Sequence, residues 1–188
     1  MADILTYVLH YEGTLNKNSL GAVSEGAARA AEIGGECHAV VVGGEDLTDE
    51  LCQTLGAYGA TKVFRAKGPE GLAQPVVDVM AQVIEEGGHG YALFGGGLLG
   101  FEIGAGLAAR RRAGVTMEVT AVRAQDGKLV AERPILGDSK ISVSHYRGEL
   151  GIIIGRINAF EIRQPGSGDG TAEIIDVEVE YSPFSTQA

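Results

Sequence analysis

Gly95, Gly97 and Gly100 fall in the order G-x-G-x-x-G. At that spacing glycines let a pyrophosphate approach the backbone N–H groups that open a helix. They lie inside Y-A-L-F-G-G-G-L-L-G-F-E-I-G-A-G-L-A-A, from Tyr91 to Ala109, where a short apolar run breaks on glycine and resumes as a longer one carrying one charge, Glu102. This is the pattern of a buried parallel strand feeding a helix, and we place it at the centre of a sheet. The glycines have two readings, a dinucleotide loop or a tight strand-to-helix turn with close helix packing. The packing reading is favoured. The pattern follows the fourth predicted strand, whereas a dinucleotide fingerprint follows the first strand of its unit, and a chain with 29 Gly meets such spacings by chance. Glu118 follows Gly100 by nearly the spacing of a ribose-binding acid, but it falls in a segment read as an antiparallel strand.

Other groups capable of chemistry are scattered. His10, His38, His89 and His145 stand singly along the chain, without H-E-x-x-H or an acidic partner at ligand spacing, so no metal ligand is assigned. No serine sits in G-x-S-x-G, and no Walker-type G-K-[ST] is present. Asp138-Ser139-Lys140 reads as a solvated turn rather than an activated serine. Cys37 and Cys52 lack C-x-x-C spacing and read as small core residues. Asp46, Asp49 and Glu50 suit the start of a helix, and Arg110 to Arg112 suit the end of one. No residue is named as catalytic.

A net charge of -10 and a pI near 4.8 argue against a nucleic-acid partner, which needs a basic footprint. No apolar stretch reaches membrane-spanning length, and no basic leader precedes the first strand, so a cytoplasmic location, or the mitochondrial matrix as its equivalent, is expected. At 188 residues the chain suits one domain with an extension, large enough to fold without disulfides.

The elements that must position these residues alternate. Strands are predicted over Ile4 to Tyr11, Cys37 to Val42, up to about Arg65, and at Tyr91 to Phe94. Helices are predicted from Ser19 to Ile33, after Thr48, from Pro75 to the Gly87-Gly88 stop, and after Gly97. This predicts a mainly parallel sheet with helices on both faces. Beyond Gly114 the period becomes that of strands: 115–122, a hairpin turn at Asp126-Gly127 leading to Leu129–Ile135, then Ile141–Ser144 and Ile152–Ile154, all read as antiparallel additions. Gln164 to Gly170 is linker-like, and Ile174 to Tyr181 alternates again before the end.

This order of elements, with Tyr58-Gly59-Ala60-Thr61-Lys62-Val63, Leu107-Ala108-Ala109-Arg110, Glu118-Val119-Thr120-Ala121-Val122, Arg133-Pro134-Ile135 and Asn158-Ala159-Phe160, resembles the N-terminal domain of the electron transfer flavoprotein alpha subunit. The resemblance implies an α/β domain of the adenine-nucleotide-hydrolase-like type over residues 1–162, with 163–188 a linker or tail toward an FAD-binding domain absent from this chain. It implies a beta-subunit partner with room for AMP, and FAD in the complete assembly rather than on this chain alone. That assembly would take electrons from dehydrogenases and pass them to an acceptor, with this chain a carrier component rather than an enzyme. The chain departs from the family pattern at Phe101, Ala105 and Gly106, where the family has Lys, Pro and Arg. Two other readings stay open: a small module binding AMP or ATP at the carboxyl ends of the strands, and an NAD-dependent dehydrogenase.

Overall fold

A computed structural model describes residues 2–163 and 170–185. Its elements, in chain order, are β1 (Ile4–Tyr7), β2 (His10–Tyr11), β3 (Thr14–Leu15), α1 (Lys17–Ile33), β4 (Cys37–Gly43), α2 (Asp49–Gln53) with a 3-10 turn at Thr54–Tyr58, β5 (Lys62–Lys67), α3 (Ala73–Gly87), β6 (Tyr91–Phe94), α4 (Leu98–Arg111), β7 (Gly114–Val119), β8 (Ala121–Gln125), β9 (Lys128–Ile135), β10 (Lys140–His145), β11 (Gly151–Gly155) and β12 (Glu173–Val177). A last 3-10 turn covers Pro183–Ser185.

Seven strands form one parallel sheet in the order β12-β5-β4-β1-β6-β11-β7. The centre is β1, with the Tyr91–Phe94 strand beside it. All seven residues of β4 are buried, as required of an interior parallel strand covered on both faces. Successive side chains of β1 point to opposite layers: Ile4 joins the core under α1, and Leu5 and Tyr7 join the core under α3 and α4. Asn16 caps α1 by accepting from the amides of Asn18 and Ser19, and Thr48 caps α2 through the amide of Leu51. Both α1 and α3 end on glycines in the left-handed region, Gly34 and Gly88. The fold class expected from the sequence is therefore the one observed.

Several expectations need correction. The first strand stops at Tyr7, and His10–Tyr11 pairs with Thr14–Leu15 in a hairpin. Its two turn residues, Glu12 and Gly13, have φ of 47° and 72°, the twist that a two-residue hairpin requires. The segments 115–119 and 152–154, expected among the antiparallel strands, are β7 and β11 of the parallel sheet. Glu118, at φ 57°, sits at the register shift just before β7 ends at Val119, and the antiparallel three-stranded sheet begins only at β8, in the order β10-β9-β8. Alternation in sequence records which face a side chain takes, not the direction of its neighbour. The segment 163–188, expected as a linker or tail, supplies β12, which pairs with β5 from Lys62 to Ala66 and covers an edge that would otherwise be open. The linker-like run from Gln164 lies, as far as residue 169, outside the described residues.

Candidate functional site

The sheet changes winding direction between β1 and β6. From β1 the chain moves outward through β4 and β5, then returns to place β6 on the other side of β1. In open α/β sheets such a switch point leaves a crevice at the carboxyl ends of the strands, where ligands bind. Here the crevice is a cavity of about 220 Å³ lined by Tyr7, Leu9, Asn16, Ser19, the Gly95–Gly100 turn and Ile157.

The G-x-G-x-x-G glycines form its wall, and the chain itself fills the space beside them. A methyl group on Gly95 would lie 2.4 Å from the carbonyl oxygen of Asn18, and one on Gly96 would lie 2.3 Å from the backbone nitrogen of Ile157. On Gly100 it would meet the Gly95 carbonyl at 2.7 Å. Gly97, at φ 142°, precedes the first residue of α4 and has nothing within 4 Å of that position. The start of α1 is closed too: Asn16 takes its first amides, the Ser19 hydroxyl accepts from the Leu9 amide, and the Asn18 side chain accepts from the Asn158 amide. Burial first, and Glu70 second, push the Tyr7 phenol well above its ordinary range, so it stays protonated and neutral. At about 220 Å³ this crevice is below the usual range of about 300–1,000 Å³ for ligand pockets, and packed backbone backs it on two sides.

The remaining candidates take structural partners. Glu118 faces Arg156, 3.1 Å from its Nε, and Asp138 meets the other end of the same guanidinium at 3.3 Å. The Ser139 hydroxyl donates to the Leu136 carbonyl across its turn at 2.8 Å. Arg110 pairs with Asp78 and Arg111 with Glu85, so these two charges at the end of α4 tie it to α3. Both cysteines are buried and free, and burial pushes the Cys37 thiol up to about 12. At neutral pH it is no nucleophile.

The histidines, single in sequence, are not single in space. At the amino ends of β4 and β6, His38 Nδ1 and His89 Nε2 meet at 2.8 Å in the interior, and His38 Nε2 lies 3.2 Å from Glu36. At the opposite end of the sheet His10 is buried with Nδ1 3.2 Å from Asp46, and Glu70 stands beside them. His145 is exposed at the end of β10. No spacing rule could find these groupings, because each draws on separate strands. The usable signal was topological: His10, Asp46 and Glu70 each lie three residues beyond a strand end, at Tyr7, Gly43 and Lys67, on neighbouring strands.

The family model for the electron transfer flavoprotein domain matches residues 4–181. An electron transfer flavoprotein subunit alpha of Mycobacterium leprae (strain TN) is 35% identical over 182 residues, covering 95% of this chain and 54% of that protein. The protein of the same description from Clostridium acetobutylicum is 27% identical over 188 residues, covering 94% of this chain and 54% of its own length. A subunit of a lactate dehydrogenase (NAD(+),ferredoxin) from Acetobacterium woodii is 29% identical over 138 residues, 71% of this chain and 32% of that protein. The chain thus spans about half the length of the alpha subunits it matches.

Proposed function

Because the chain belongs to the electron transfer flavoprotein family, we propose that it is the N-terminal, scaffold part of an alpha-type subunit. It docks a beta-type partner and orients a flavin held by residues outside this chain. The observation that carries the reading is the match over residues 4–181, to relatives of which this chain is about half. The crevice supports it: the one turn that resembles a nucleotide loop is packed against backbone, which suits a scaffold better than a cofactor cradle. In the assembly FAD supplies the electron-accepting chemistry. This chain supplies rigid placement, and neither a proton donor nor a nucleophile, to a carrier that links dehydrogenases to an acceptor.

The three-stranded sheet offers the docking surface. Ile141 and Val143 alternate on β10 at 54% and 49% exposure, and Leu136 in the adjoining turn is 71% exposed. An exposed apolar row on β10, the edge strand of the three-stranded sheet, is the composition of an interface core. Mixing the chain with the beta-type subunit of the same organism is expected to give a one-to-one complex by light scattering. The Ile141→Glu/Val143→Glu pair is expected to weaken it by at least about tenfold, because charge would be buried unpaired. No complex with the native chain, or equal affinity for the variant, contradicts the reading or its surface respectively. A chain that retains adenylate and ignores the subunit would favour the nucleotide-binding alternative.

A further inference from the structure

The loops that leave β1, β4 and β5 meet on one side of the switch-point crevice, around a cavity of about 730 Å³ that shares Leu9 and Asn16 with it. His10 and Glu70 line that cavity, and Asp46 stands behind them. The ring of His10 is 4% exposed. Its Nε2 lies 3.0 Å from the Val42 carbonyl, which can only accept, so Nε2 carries the proton. In the neutral ring Nδ1 is then a lone pair. It is buried, makes no hydrogen bond, and sits 3.2 Å from a carboxylate oxygen of Asp46. A lone pair facing a carboxylate is repulsive unless a positive charge, a second ring proton or a metal ion, stands between them.

A second carboxylate, that of Glu70, completes the cluster. Donor atoms of His10, Asp46 and Glu70 all lie within 4.8 Å of one another. A zinc ion with bonds of about 2.0–2.1 Å separates adjacent tetrahedral donors by about 3.3 Å, close to the His10–Asp46 distance. Each donor is also held from behind. The Val42 carbonyl fixes the tautomer and orientation of His10, the Gly13 amide donates to Asp46 at 3.1 Å, and the Gly44 amide donates to Glu70 at 3.3 Å. Metal ligands are oriented by outer hydrogen bonds of this kind. Gly43 clears the space the ring needs, since a methyl there would lie 2.5 Å from Nε2.

We propose that His10, Asp46 and Glu70 bind one divalent transition-metal ion, stapling the loops after β1, β4 and β5 and leaving its remaining coordination positions open toward the cavity. One imidazole with two carboxylates favours Zn²⁺, Co²⁺ or Mn²⁺ over Mg²⁺, which prefers an all-oxygen shell. The site shares no residue with the docking surface on β10.

The test is calorimetric titration of the full chain, stripped with chelator, with Zn²⁺, and a parallel titration with Co²⁺ followed by its visible d–d absorption. One saturable equivalent of each is expected, with a rise in thermal midpoint. Glu70 is exposed, so Glu70→Gln should fold as the native chain does and bind at least about tenfold more weakly, with His10→Gln abolishing the cobalt spectrum. Lys17→Ala, on the cavity wall but outside the donor set, should change nothing. Absence of a stoichiometric site overturns the proposal and leaves an imidazolium paired with Asp46. Binding that survives Glu70→Gln and His10→Gln but is lost in His145→Gln also overturns it.

Discussion

Asp78→Ala is expected to lower the unfolding free energy by about 3 kcal/mol, the largest effect of any single truncation of a polar side chain in this domain. Asp78 is 4% exposed on α3 and joins three parts of the chain. One carboxylate oxygen takes Arg110 of α4, and the other takes the Ser182 amide at 2.9 Å and the Ser185 hydroxyl. Burial works to raise this carboxyl, and the bonds from Ser185, Ser182 and Arg110 outweigh it and hold it below the ordinary carboxylate range. Removing it takes the acceptor from the buried Ser185 hydroxyl, the half-buried Ser182 amide and Arg110, and frees the segment after β12 from α3. Denaturant unfolding should register the loss, and limited proteolysis should cut near Ser182 in the variant before it cuts the native chain. Asp78→Asn keeps an acceptor and should lose less. A loss below about 1 kcal/mol for Asp78→Ala would mean that this hub is not what holds the C-terminal segment down.

The second large effect is on pH. His89 is 3% exposed, and burial first, then the charge of His38, lower it to about 4 from its ordinary 6.5, against the opposing pull of Asp3. Phe64 packs its ring edge-on against both imidazoles, and Lys62 adds a further positive charge. His38 Nδ1 and His89 Nε2, 2.8 Å apart, share one ring proton, and His38 Nε2 lies 3.2 Å from Glu36, so a second proton between the two imidazoles would set N–H against N–H. Between pH 6.5 and pH 4 the unfolded chain binds a proton at this residue that the folded chain refuses. Stability from this group is therefore complete above pH 6.5 and falls as pH drops to about 4, by on the order of 3 kcal/mol in total. The carboxylates held low, Glu36 and Asp78 among them, add their losses only nearer pH 4 and below, so the His89 contribution separates out above pH 4.5. Urea unfolding at pH 7 and pH 5 should show the drop in the native chain and a smaller one in His89→Gln. Equal slopes in the two would contradict the assignment.

Much of the fold was legible because the α/β alternation is local. The apolar run of β6, the Gly34 and Gly88 helix ends and the Asp126-Gly127 turn each state their structure within a few residues. What was not legible depends on partners far away in sequence. The alternation of Val115 to Val119 is the same whether its neighbour is parallel or antiparallel, and only the placement of β11 between β6 and β7 decides it. β12 reads as a stray alternating piece until the edge of β5 is seen to need it. The site follows the same rule. The Gly95–Gly100 spacing was visible, but its occupation by the backbones of Asn18 and Ile157 was not, and His10, Asp46 and Glu70 meet only because parallel strands bring equivalent loop positions together.

The central claim is that this chain is a scaffold that works with a partner and a flavin it does not itself hold. It is tested most directly by purifying the chain from its source organism under native conditions, identifying every co-purifying chain by mass spectrometry and recording the visible spectrum before and after the chains are separated. The account predicts a beta-type electron transfer flavoprotein subunit in the complex, and a residue 1–188 fragment that is colourless once separated. A fragment that retains flavin absorbance on its own, or that comes through with no subunit of that family, would contradict it.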